Sequence, residues 1–365
     1  MMIAPKTSTF INFRGDLMKA ISEKGNEIVA VCPEGGFEKT LKELGARCVL
    51  ISLKKNSTTI LDNLAYLNHL TEIIKQEKPD KIFAYTIKPV IFGSIAAKRA
   101  KVKEMYSMIT GLGYVYAVES FKTKILQLIC GIGYKIAFKY NKKVIFQNKD
   151  DIEEFVQRKY LKKEKCELVD GSGVNMDRFK RNPLPEENTF LMVSRILKQK
   201  GVREYFEAAK IVKEKYPDTK FLYVGAEDKT QLALNLDEVR SEFLDSGIIE
   251  YCGESNDVPS YIAKSTCFVL PSYYREGVPR TLLEALAMGR PILTTDTVGC
   301  RETVKEGVNG FFVPIKDSKT LAEKMIYMIE HREELEKMSD ASYNYCKERF
   351  DVNIINKRML EIMEI

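Results

Sequence analysis

The chain has 365 residues, of which 45% are hydrophobic and 30% are charged, and its formal net charge is +6. This length suits two domains, and the composition excludes a disordered or fibrous protein. The sequence lacks the window of about 18 uncharged apolar residues that a membrane-spanning helix needs, and Pro5 and Lys6 interrupt the first apolar stretch too early for a signal peptide.

Neither the cysteines nor the histidines indicate a disulfide framework or a metal site. The eight cysteines are scattered, mostly within apolar stretches, and none forms a Cys-x-x-Cys pair. This distribution is typical of reduced thiols in a cytosolic protein. The two histidines, His69 and His331, lie in charged segments without neighbouring ligands, so neither a histidine base nor a histidine-bound metal is expected.

The net charge is distributed unevenly along the chain. Residues 1–185 carry a net charge of +12, and residues 186–365 carry −6. A basic half joined to an acidic half indicates that the first half meets an anionic partner, such as a membrane surface, a phosphorylated acceptor or nucleic acid. Nucleic acid is the weakest of these candidates, because the sequence shows no recognisable nucleic-acid-binding module and no aromatics placed to stack on bases.

The first half alternates predicted strands and helices, with a polar loop at 7–9 after a very short first strand. Strands are predicted over 1–4, 27–32, 47–51, 81–85, 106–109, 144–146 and 166–169. Helices are predicted over 13–24, 59–77, 90–101 and 150–159, and within the segment 120–143. Such an alternation builds a parallel sheet whose strands end at a ligand crevice.

A glycine-containing segment follows the predicted strand 106–109. It reads Thr110-Gly111-Leu112-Gly113-Tyr114, and its two glycines allow a tight turn and a close approach of the backbone to a ligand. The alternative interpretation is a plain flexible turn.

The next segment, 120–149, contains seven lysines and no Asp or Glu, and apolar residues are interleaved with the lysines. This pattern predicts a basic amphipathic helix, which either lies on an anionic bilayer with its lysines at the headgroups or packs on the sheet with its lysines in solvent.

The second half repeats the alternation after a linker marked by Pro183 and Pro185. Strands are predicted over 190–194, 221–224, 248–251, 267–270, 292–295 and 310–313. Helices are predicted over 202–213 and 227–246, from 280 to a stop at Gly289, and at the C-terminus after 313. The repeat predicts a second parallel-sheet domain.

Two stretches of the second half have the chemistry of an anion site. Arg195 and Lys200 lie on a loop between a predicted strand and a helix that starts after Gly201, where a guanidinium and an ammonium can hold phosphate oxygens. They can also be two ordinary surface cations. In the second stretch, Glu276 lies on a loop and Glu284 lies about one turn inside the following helix, with the N–H groups of the first helical turn between them. This arrangement suits a nucleoside diphosphate sugar, although two solvated glutamates would give the same pattern.

These stretches carry a family resemblance. The segment Glu276-Gly-Val-Pro-Arg-Thr-Leu-Leu-Glu284 resembles the Glu-x7-Glu motif of the family 4 retaining glycosyltransferases. Arg195-Ile-Leu-Lys-Gln-Lys200-Gly201 resembles the family pattern Arg-Leu-x-x-x-Lys-Gly, and Gly171–Phe179 resembles the passage where the family leaves its first domain. The loop Gly111-Leu-Gly113 resembles that of members that extend lipid-linked or capsular and exopolysaccharide glycans.

The resemblance implies the GT-B architecture, in which two Rossmann-like, doubly wound α/β domains face a cleft. It implies an N-terminal acceptor-side domain over 1–183, a nucleotide-sugar domain over 184–349, and a C-terminal helix over 350–365 that returns to the first domain. It implies no metal and no cofactor, because the arginine, the lysine and the helix N-terminus replace a divalent ion at the diphosphate.

The resemblance also assigns roles to residues. Arg195 and Lys200 would hold the donor diphosphate, Glu276 would position the donor sugar and Glu284 would bind the ribose. Further donor contacts are implied at Gly277, Val278, Thr281, Leu282 and Ser255. Acceptor-side contacts are implied at Thr110, Gly111, Gly113 and Tyr114.

The function that follows is a retaining, metal-independent hexosyltransferase. It would move a sugar from a UDP-sugar, such as UDP-GalNAc, UDP-GlcNAc or UDP-Gal, to a polyprenyl-diphosphate-linked saccharide of a surface polysaccharide or glycan. The chain would be cytoplasmic and peripheral on the inner face of the membrane, bound through residues 122–143. Two alternatives are a nucleotide-sugar 2-epimerase of the same architecture and a non-catalytic nucleotide-sugar-binding protein.

Overall fold

The computed structural model describes residues 1–52, 59–117, 120–228 and 232–365, and for Tyr114 and Ala117 it describes the backbone only. These residues form two compact units. The first comprises Met1–Ser172 together with Val352–Ile365, and the second comprises Gly173–Asp351.

The first unit is built on a parallel sheet of seven strands within the described part of the chain. Its strands are β1 (Met2–Ile3), β2 (Ile28–Cys32), β3 (Ala46–Leu50), β4 (Lys81–Tyr85), β5 (Glu104–Ile109), β6 (Lys143–Phe146) and β7 (Cys166–Leu168). They are ordered β3-β2-β1-β4-β5-β6-β7. The central strands are continuous apolar runs because helices cover both faces of the sheet.

Helices connect these strands on both faces of the sheet. They are α1 (Ser8–Glu23), α2 (Glu38–Glu43), α3 (Ile60–Glu77), α4 (Ile87–Arg99), α5 (Gly113–Ala117), α6 (Phe121–Ala137) and α7 (Lys149–Gln157). Alternate residues of β4 face opposite layers: Phe83 and Tyr85 pack in the cluster that contains α1, and Ile82 and Ala84 pack in the cluster of α3 and α4. The first core is therefore divided by the sheet.

The second unit repeats this plan. Its strands are β8 (Thr189–Val193), β9 (Lys220–Val224), β10 (Glu250–Tyr251), β11 (Cys267–Leu270), β12 (Ile292–Thr295) and β13 (Gly310–Val313). Its helices are α8 (Val202–Lys215), α9 (Asp237–Val239), α10 (Val258–Ala263), α11 (Arg280–Ala287), α12 (Ser318–Glu330) and α13 (Arg332–Arg349). The parallel sheet is ordered β10-β9-β8-β11-β12-β13. The predicted α/β class with two doubly wound domains is confirmed.

Each sheet has a topological switch point, where successive connections leave the sheet in opposite directions. In the first sheet it lies between β1 and β4, and in the second it lies between β8 and β11. Ligands of open α/β sheets bind outside the carboxyl ends of the strands at such points. The loops that follow β8 and β11 are therefore the expected location of a ligand site in the second unit.

The last helix, α14 (Val352–Met363), belongs to the first unit. Its buried residues Ile355 and Met359 join the cluster of α1, and the Lys81 ammonium donates to the Met363 carbonyl at 3.0 Å. An ion pair of 2.6 Å between Arg358 and Glu167 also holds the helix. The chain thus returns to its first unit, in agreement with the fold predicted from the family resemblance.

Some predicted boundaries differ from the structure. Helix α1 begins at Ser8 and not after a polar loop over 7–9, and in its first turn the Thr9 hydroxyl donates to the Lys6 carbonyl oxygen at 2.6 Å. Helix α4 begins three residues before its predicted start at 90, and the short α2 was not predicted.

The predicted helix 227–246 is mostly wrong. Glu227 forms a bridge to Ile196 and Ala233 forms one to Leu197, so this segment pairs with the chain after β8 instead of with itself. Helical structure is limited to α9 and a π-helical turn over Arg240–Leu244, and residues 229–231 lie outside the described part.

The first passage between units lies near residue 172, inside the Gly171–Phe179 passage that the resemblance indicates, whereas the predicted boundary of the first domain is 183. Val174 pairs with Asp351 inside the second unit, and Phe179 and Leu184 are buried in its core. The Arg290 guanidinium, itself buried, donates to the carbonyls of Asn182 and Pro183 at 3.1 Å and fixes the rest of this stretch.

Within the described residues, no helix is both long enough and apolar enough to span a membrane.

Candidate functional site

The connection from β8 to α8 carries the two predicted cations. Arg195 follows β8 with its side chain 56% exposed, and its Nη1 donates to Asp228 Oδ2 at 2.8 Å. Lys200 ends a short 3-10 turn, and Gly201 then starts α8 with a φ of +78°. A Cβ on Gly201 would lie 2.3 Å from the carbonyl oxygen of Pro271. The loops after β8 and β11 are therefore in direct contact at the switch point of the second sheet.

This contact brings Lys200 and Glu276 together. The Lys200 ammonium forms an ion pair with Glu276 Oε1, and both side chains are only 14% exposed. The Ser272 hydroxyl lies 3.3 Å from Glu276 Oε1 and 3.3 Å from the Gln199 carbonyl oxygen. The ring of Tyr274 lies beneath the ammonium, 5.6 Å from it. The pair is thus a shielded charge site on two loops whose positions depend on each other.

A third loop supports Glu276 from behind. Gly299, after β12, has a φ of +82°, and a Cβ there would lie 2.0 Å from the Gly277 carbonyl oxygen and 3.0 Å from the Glu276 Cβ. The next residue, Cys300, is fully buried, and burial together with the Glu276 carboxylate raises the pKa of its thiol to about 11. Gly299 therefore makes the close backbone approach in this loop.

Threonine hydroxyls fix the same region. Thr297 donates to the Ser272 carbonyl oxygen at 2.9 Å, and Thr295 donates to the same oxygen. Ser272, Thr295 and Gly299 were not predicted as site residues. Their role depends on contacts between loops that are far apart in sequence, and only the glycine could have been suspected, from its place in a loop after a strand.

The predicted contacts at the start of α11 are unequal in the structure. Pro279 occupies the N-cap position, and its carbonyl oxygen accepts from the Leu282 N–H at 3.1 Å. The side chains of Leu282 and Val278 are buried, whereas Thr281 is partly exposed. Leu282 therefore offers no side-chain contact, and its N–H is already engaged within the helix. Thr281 therefore keeps a partly accessible side chain in the first turn of this helix.

Glu284 has a largely buried side chain. Its side chain is 12% exposed, and Arg280 Nε donates to its Oε1 at 3.2 Å. Burial raises the pKa of Glu284, and the positive charges of Arg280 and Arg178 oppose this change. Arg280 was not predicted as a site residue, although its i, i+4 spacing to Glu284 is a signal for such a pair. A desolvated carboxylate here is a strong acceptor for ligand hydroxyls.

The loop after β10 contains Ser255, the last predicted donor contact. Its hydroxyl accepts from the Asp257 N–H at 3.0 Å. The neighbouring Gly225 N–H donates to the Gly253 carbonyl at 2.8 Å, and a Cβ on Gly225 would lie 1.7 Å from the Ser194 carbonyl oxygen. The carboxyl ends of β8, β9 and β10 are thus tightly packed, and Ser255 lies on the loop beside them.

The predicted acceptor-side residues lie in the first unit, after β5. Gly111 and Gly113 have φ values of +99° and +58°, and Gly113 begins α5. Thr110 is partly exposed, and the side chain of Tyr114 lies outside the described part of the structure. The Gln127 amide of α6 donates to the Val115 carbonyl at 2.9 Å and holds α5 in place. The two glycines thus supply the tight turn that the sequence predicts.

Within the described residues, no group of three or more His, Cys, Asp or Glu side chains is placed to hold a metal ion. A metal-independent reaction stays a prediction.

Two family models match the chain. The model described as "Glycosyl transferase 4-like" matches residues 3–148, and the model "Glycosyl transferases group 1" matches residues 174–345. Together they cover most of both units.

Proteins of known name are similar over most of the chain. The N,N'-diacetylbacillosaminyl-diphospho-undecaprenol alpha-1,3-N-acetylgalactosaminyltransferase of Campylobacter jejuni is 28% identical, and the alignment covers 98% of this chain and 96% of that protein. The UDP-Gal:alpha-D-GlcNAc-diphosphoundecaprenol alpha-1,3-galactosyltransferase of Escherichia coli is 26% identical, with 84% of this chain and 81% of that protein covered. Among solved structures, Anabaena Alr3699/HepE in complex with UDP and glucose superposes with a TM-score of 0.81 at 17% identity, over 100% of this chain and 98% of that one.

Proposed function

The chain belongs to the glycosyltransferases of the group 1 and 4-like families, and from this premise we propose that it transfers a hexose or N-acetylhexosamine from a UDP-sugar to a saccharide linked to a polyprenyl diphosphate. The acceptor class rests on the names of the C. jejuni and E. coli relatives, both of which act on sugars attached to diphospho-undecaprenol. The donor class rests on the UDP-Gal in the name of the E. coli relative.

One observation carries the proposal. Lys200 and Glu276 meet at the switch point of the second sheet, with Arg195 on the same loop as Lys200. The two cations, Arg195 and Lys200, lie next to the start of a helix and suit a diphosphate. The Glu276 carboxylate beside Lys200 suits the hydroxyls of a sugar. The two oppositely charged groups therefore match the two halves of a nucleotide sugar.

The proposed mechanism uses charge more than proton transfer. Arg195 and Lys200 hold the diphosphate and stabilise the negative charge that develops on it as the sugar leaves. Glu276 holds the sugar, and Glu284 accepts from the ribose hydroxyls. The departing diphosphate takes the proton of the acceptor hydroxyl on the face that it leaves, so the new bond retains the anomeric configuration without a dedicated base. No divalent ion is required for this charge stabilisation.

We further infer an association with the inner face of the cell membrane, for which the net charge of +12 over residues 1–185 is the support. The lysine-rich segment 122–143 would meet anionic headgroups. A membrane-embedded acceptor requires such a location for the enzyme that extends it.

The two alternatives find no support. Both named relatives are transferases, so neither an epimerase nor a non-catalytic binding protein is favoured by them.

Transfer assays with a panel of UDP-sugars and a short-chain polyprenyl-diphosphate-linked saccharide test the proposal, with the product anomer determined by NMR. Lys200→Ala should reduce transfer on the order of 100-fold, because it removes one contact to the leaving group. Lys198→Ala, at an exposed position two residues away, should leave the rate unchanged. An inverted product, or equal rates for the two variants, would refute the mechanism.

A further inference from the structure

Helix α6 has two apolar faces, and only one of them is covered. Thr123, Gly131, Tyr134 and Ala137 are buried, and Tyr134 and Ala137 pack in the cluster that contains residues of α4 and β6. The opposite face carries a stripe of exposed apolar side chains at helical spacing. They are Phe121, Ile125, Leu128, Ile129, Ile132 and Ile136, with exposures of 41–81%. An uninterrupted apolar stripe of this length is rare on a surface that faces only water.

The charged residues of the segment 120–149, which carries this stripe, are all positive. On a helical wheel, Lys124 and Lys135 flank one side of the stripe and Lys122 flanks the other, Lys139 follows the end of the helix, and residues 120–149 contain no Asp or Glu. An apolar stripe bordered by lysines is the pattern of a helix that lies in the interface of an anionic bilayer. A protein partner with an apolar face and no acidic rim would leave these lysines without matching charges.

A second group of exposed apolar residues lies on the same outer layer. Ile60, Leu61 and Leu64 in the first two turns of α3 are 46–81% exposed. Helix α4 packs against both α3 and α6, so the three helices form one layer on one face of the sheet. Each lies in a connection that leaves a strand of the same parallel sheet, α3 after β3, α4 after β4 and α6 after β5 and α5, so their first turns lie toward its carboxyl edge.

We propose that the apolar stripe of α6 and the first two turns of α3 form one bilayer-docking surface, which inserts side chains into an anionic membrane in addition to attracting its headgroups. This inference rests on the proposed function, because the acceptor defines the membrane as the place of the reaction. It goes further in naming two insertion points and in predicting binding that salt does not abolish.

The surface is continuous with the acceptor-side loop. The Gln127 amide joins α6 to the Val115 carbonyl in α5, directly after Gly111–Gly113. Docking of α6 therefore brings this loop to the interface where the diphosphate of a lipid-linked acceptor lies.

Flotation with vesicles of 7:3 phosphatidylcholine and phosphatidylglycerol tests the proposal on the full chain. At low salt, both headgroup attraction and insertion contribute to binding. At about 0.5 M NaCl, exposed charges are screened within a few ångströms, and binding through insertion should remain measurable. Complete release at high salt would refute insertion.

Two variant sets separate the insertion points. The set Ile125→Gln, Leu128→Gln and Ile132→Gln on α6, and the set Ile60→Gln and Leu61→Gln on α3, should each lower the partition coefficient at high salt by about tenfold or more. The sets are far enough apart that their fold-changes should multiply. The control set Val308→Gln and Ile315→Gln replaces apolar residues of similar exposure in the second unit and should change nothing. Wild-type partitioning of the α6 set, or of the α3 set, would overturn the proposal.

Three further measurements separate loss of membrane docking from misfolding, from self-association and from loss of transfer activity. All variants should keep the wild-type Tm, since every replaced side chain is exposed. Analytical ultracentrifugation without lipid should give the same mass for wild type and the α6 set; a wild-type dimer that this set dissociates would make the face a self-interface and overturn the proposal. Transfer to a water-soluble acceptor tests the proposed function separately, because the variants should retain it even where vesicle binding is lost.

Discussion

Lys200 and Glu276 form an ion pair between the loops that follow β8 and β11, with each side chain only 14% exposed. Two charges with so little exposure to water are stabilised mainly by each other, so removing one charge raises the free energy of burying the other. A bound diphosphate sugar would give Lys200 an anionic partner and would give Glu276 hydroxyl donors. The pair therefore couples the stability of the ligand-free protein to the same residues that would hold the donor.

A double-mutant cycle tests this coupling. Lys200→Met should destabilise the second unit by about 1–3 kcal/mol, because it leaves the Glu276 carboxylate shielded and without its cation. Adding Glu276→Gln to Lys200→Met should recover most of this loss of stability. Neither Lys200→Met nor the double variant should carry out transfer. Urea unfolding of wild type, the two single variants and the double variant measures the interaction. Additive effects would show that the pair is not coupled.

Glu284→Gln should stabilise the ligand-free protein and weaken nucleotide binding. Burial raises the pKa of Glu284, so at neutral pH the folded state holds a carboxylate that would be more favourable in the unfolded chain. The amide removes this cost, on the order of 1 kcal/mol or about 2–4 °C in Tm.

The pH dependence of this gain has a definite sign. A carboxyl whose pKa is raised by folding contributes stability when protonated, and that contribution is lost as pH rises from about 4.5 through the raised value. The Tm advantage of Glu284→Gln should therefore be larger at pH 7.5 than near pH 5. Differential scanning fluorimetry at both values measures it, and an advantage that grows toward pH 5 would contradict the assignment.

Gly299→Ala should impair both stability and donor binding. Its Cβ would lie 2.0 Å from the Gly277 carbonyl oxygen, so the loop that carries Glu276 must move. Gly307→Ala is a matched control, since Gly307 also has a positive φ, +71°, but a Cβ there meets nothing within 4 Å.

The control should show only the backbone strain, about 1 kcal/mol. The Gly299 variant should lose at least about 2 kcal/mol more, and also the thermal shift caused by UDP. Equal Tm values for the two variants would mean that the contact does not position Glu276.

Met359→Ala should destabilise the first unit, by about 2–4 kcal/mol, because Met359 of α14 is buried in the cluster of α1. Lys357→Ala, exposed on the same helix, should be neutral within about 0.5 kcal/mol. Hydrogen exchange of α1 amides reports the effect directly. Unchanged protection of α1 in Met359→Ala would show that α14 does not complete this core.

Local patterns predicted the architecture well, since β2, β8 and β11 are uninterrupted apolar runs that helices cover. The segment 227–246 was predicted incorrectly because its backbone partners, Ile196 and Leu197, lie about 30 residues away in sequence. Arg195, Lys200, Glu276 and Glu284 were selected by spacing and chemistry. The supports of the Lys200–Glu276 pair, Ser272 and Gly299, act through packing between loops, and only Gly299 has a local signal, its place in a loop after a strand.

The assignment of α14 to the first unit makes the second unit an insertion within the first. During synthesis, residues 173–351 are joined to the chain before α14, the last helix of the first unit. Every residue of the second core is therefore synthesised before the first core has all of its parts. Until α14 is made, residues such as Phe10 and Leu17 of α1 lack part of their cover. The first core, whose first residues are made earliest, thus receives its last residues after all those of the second core.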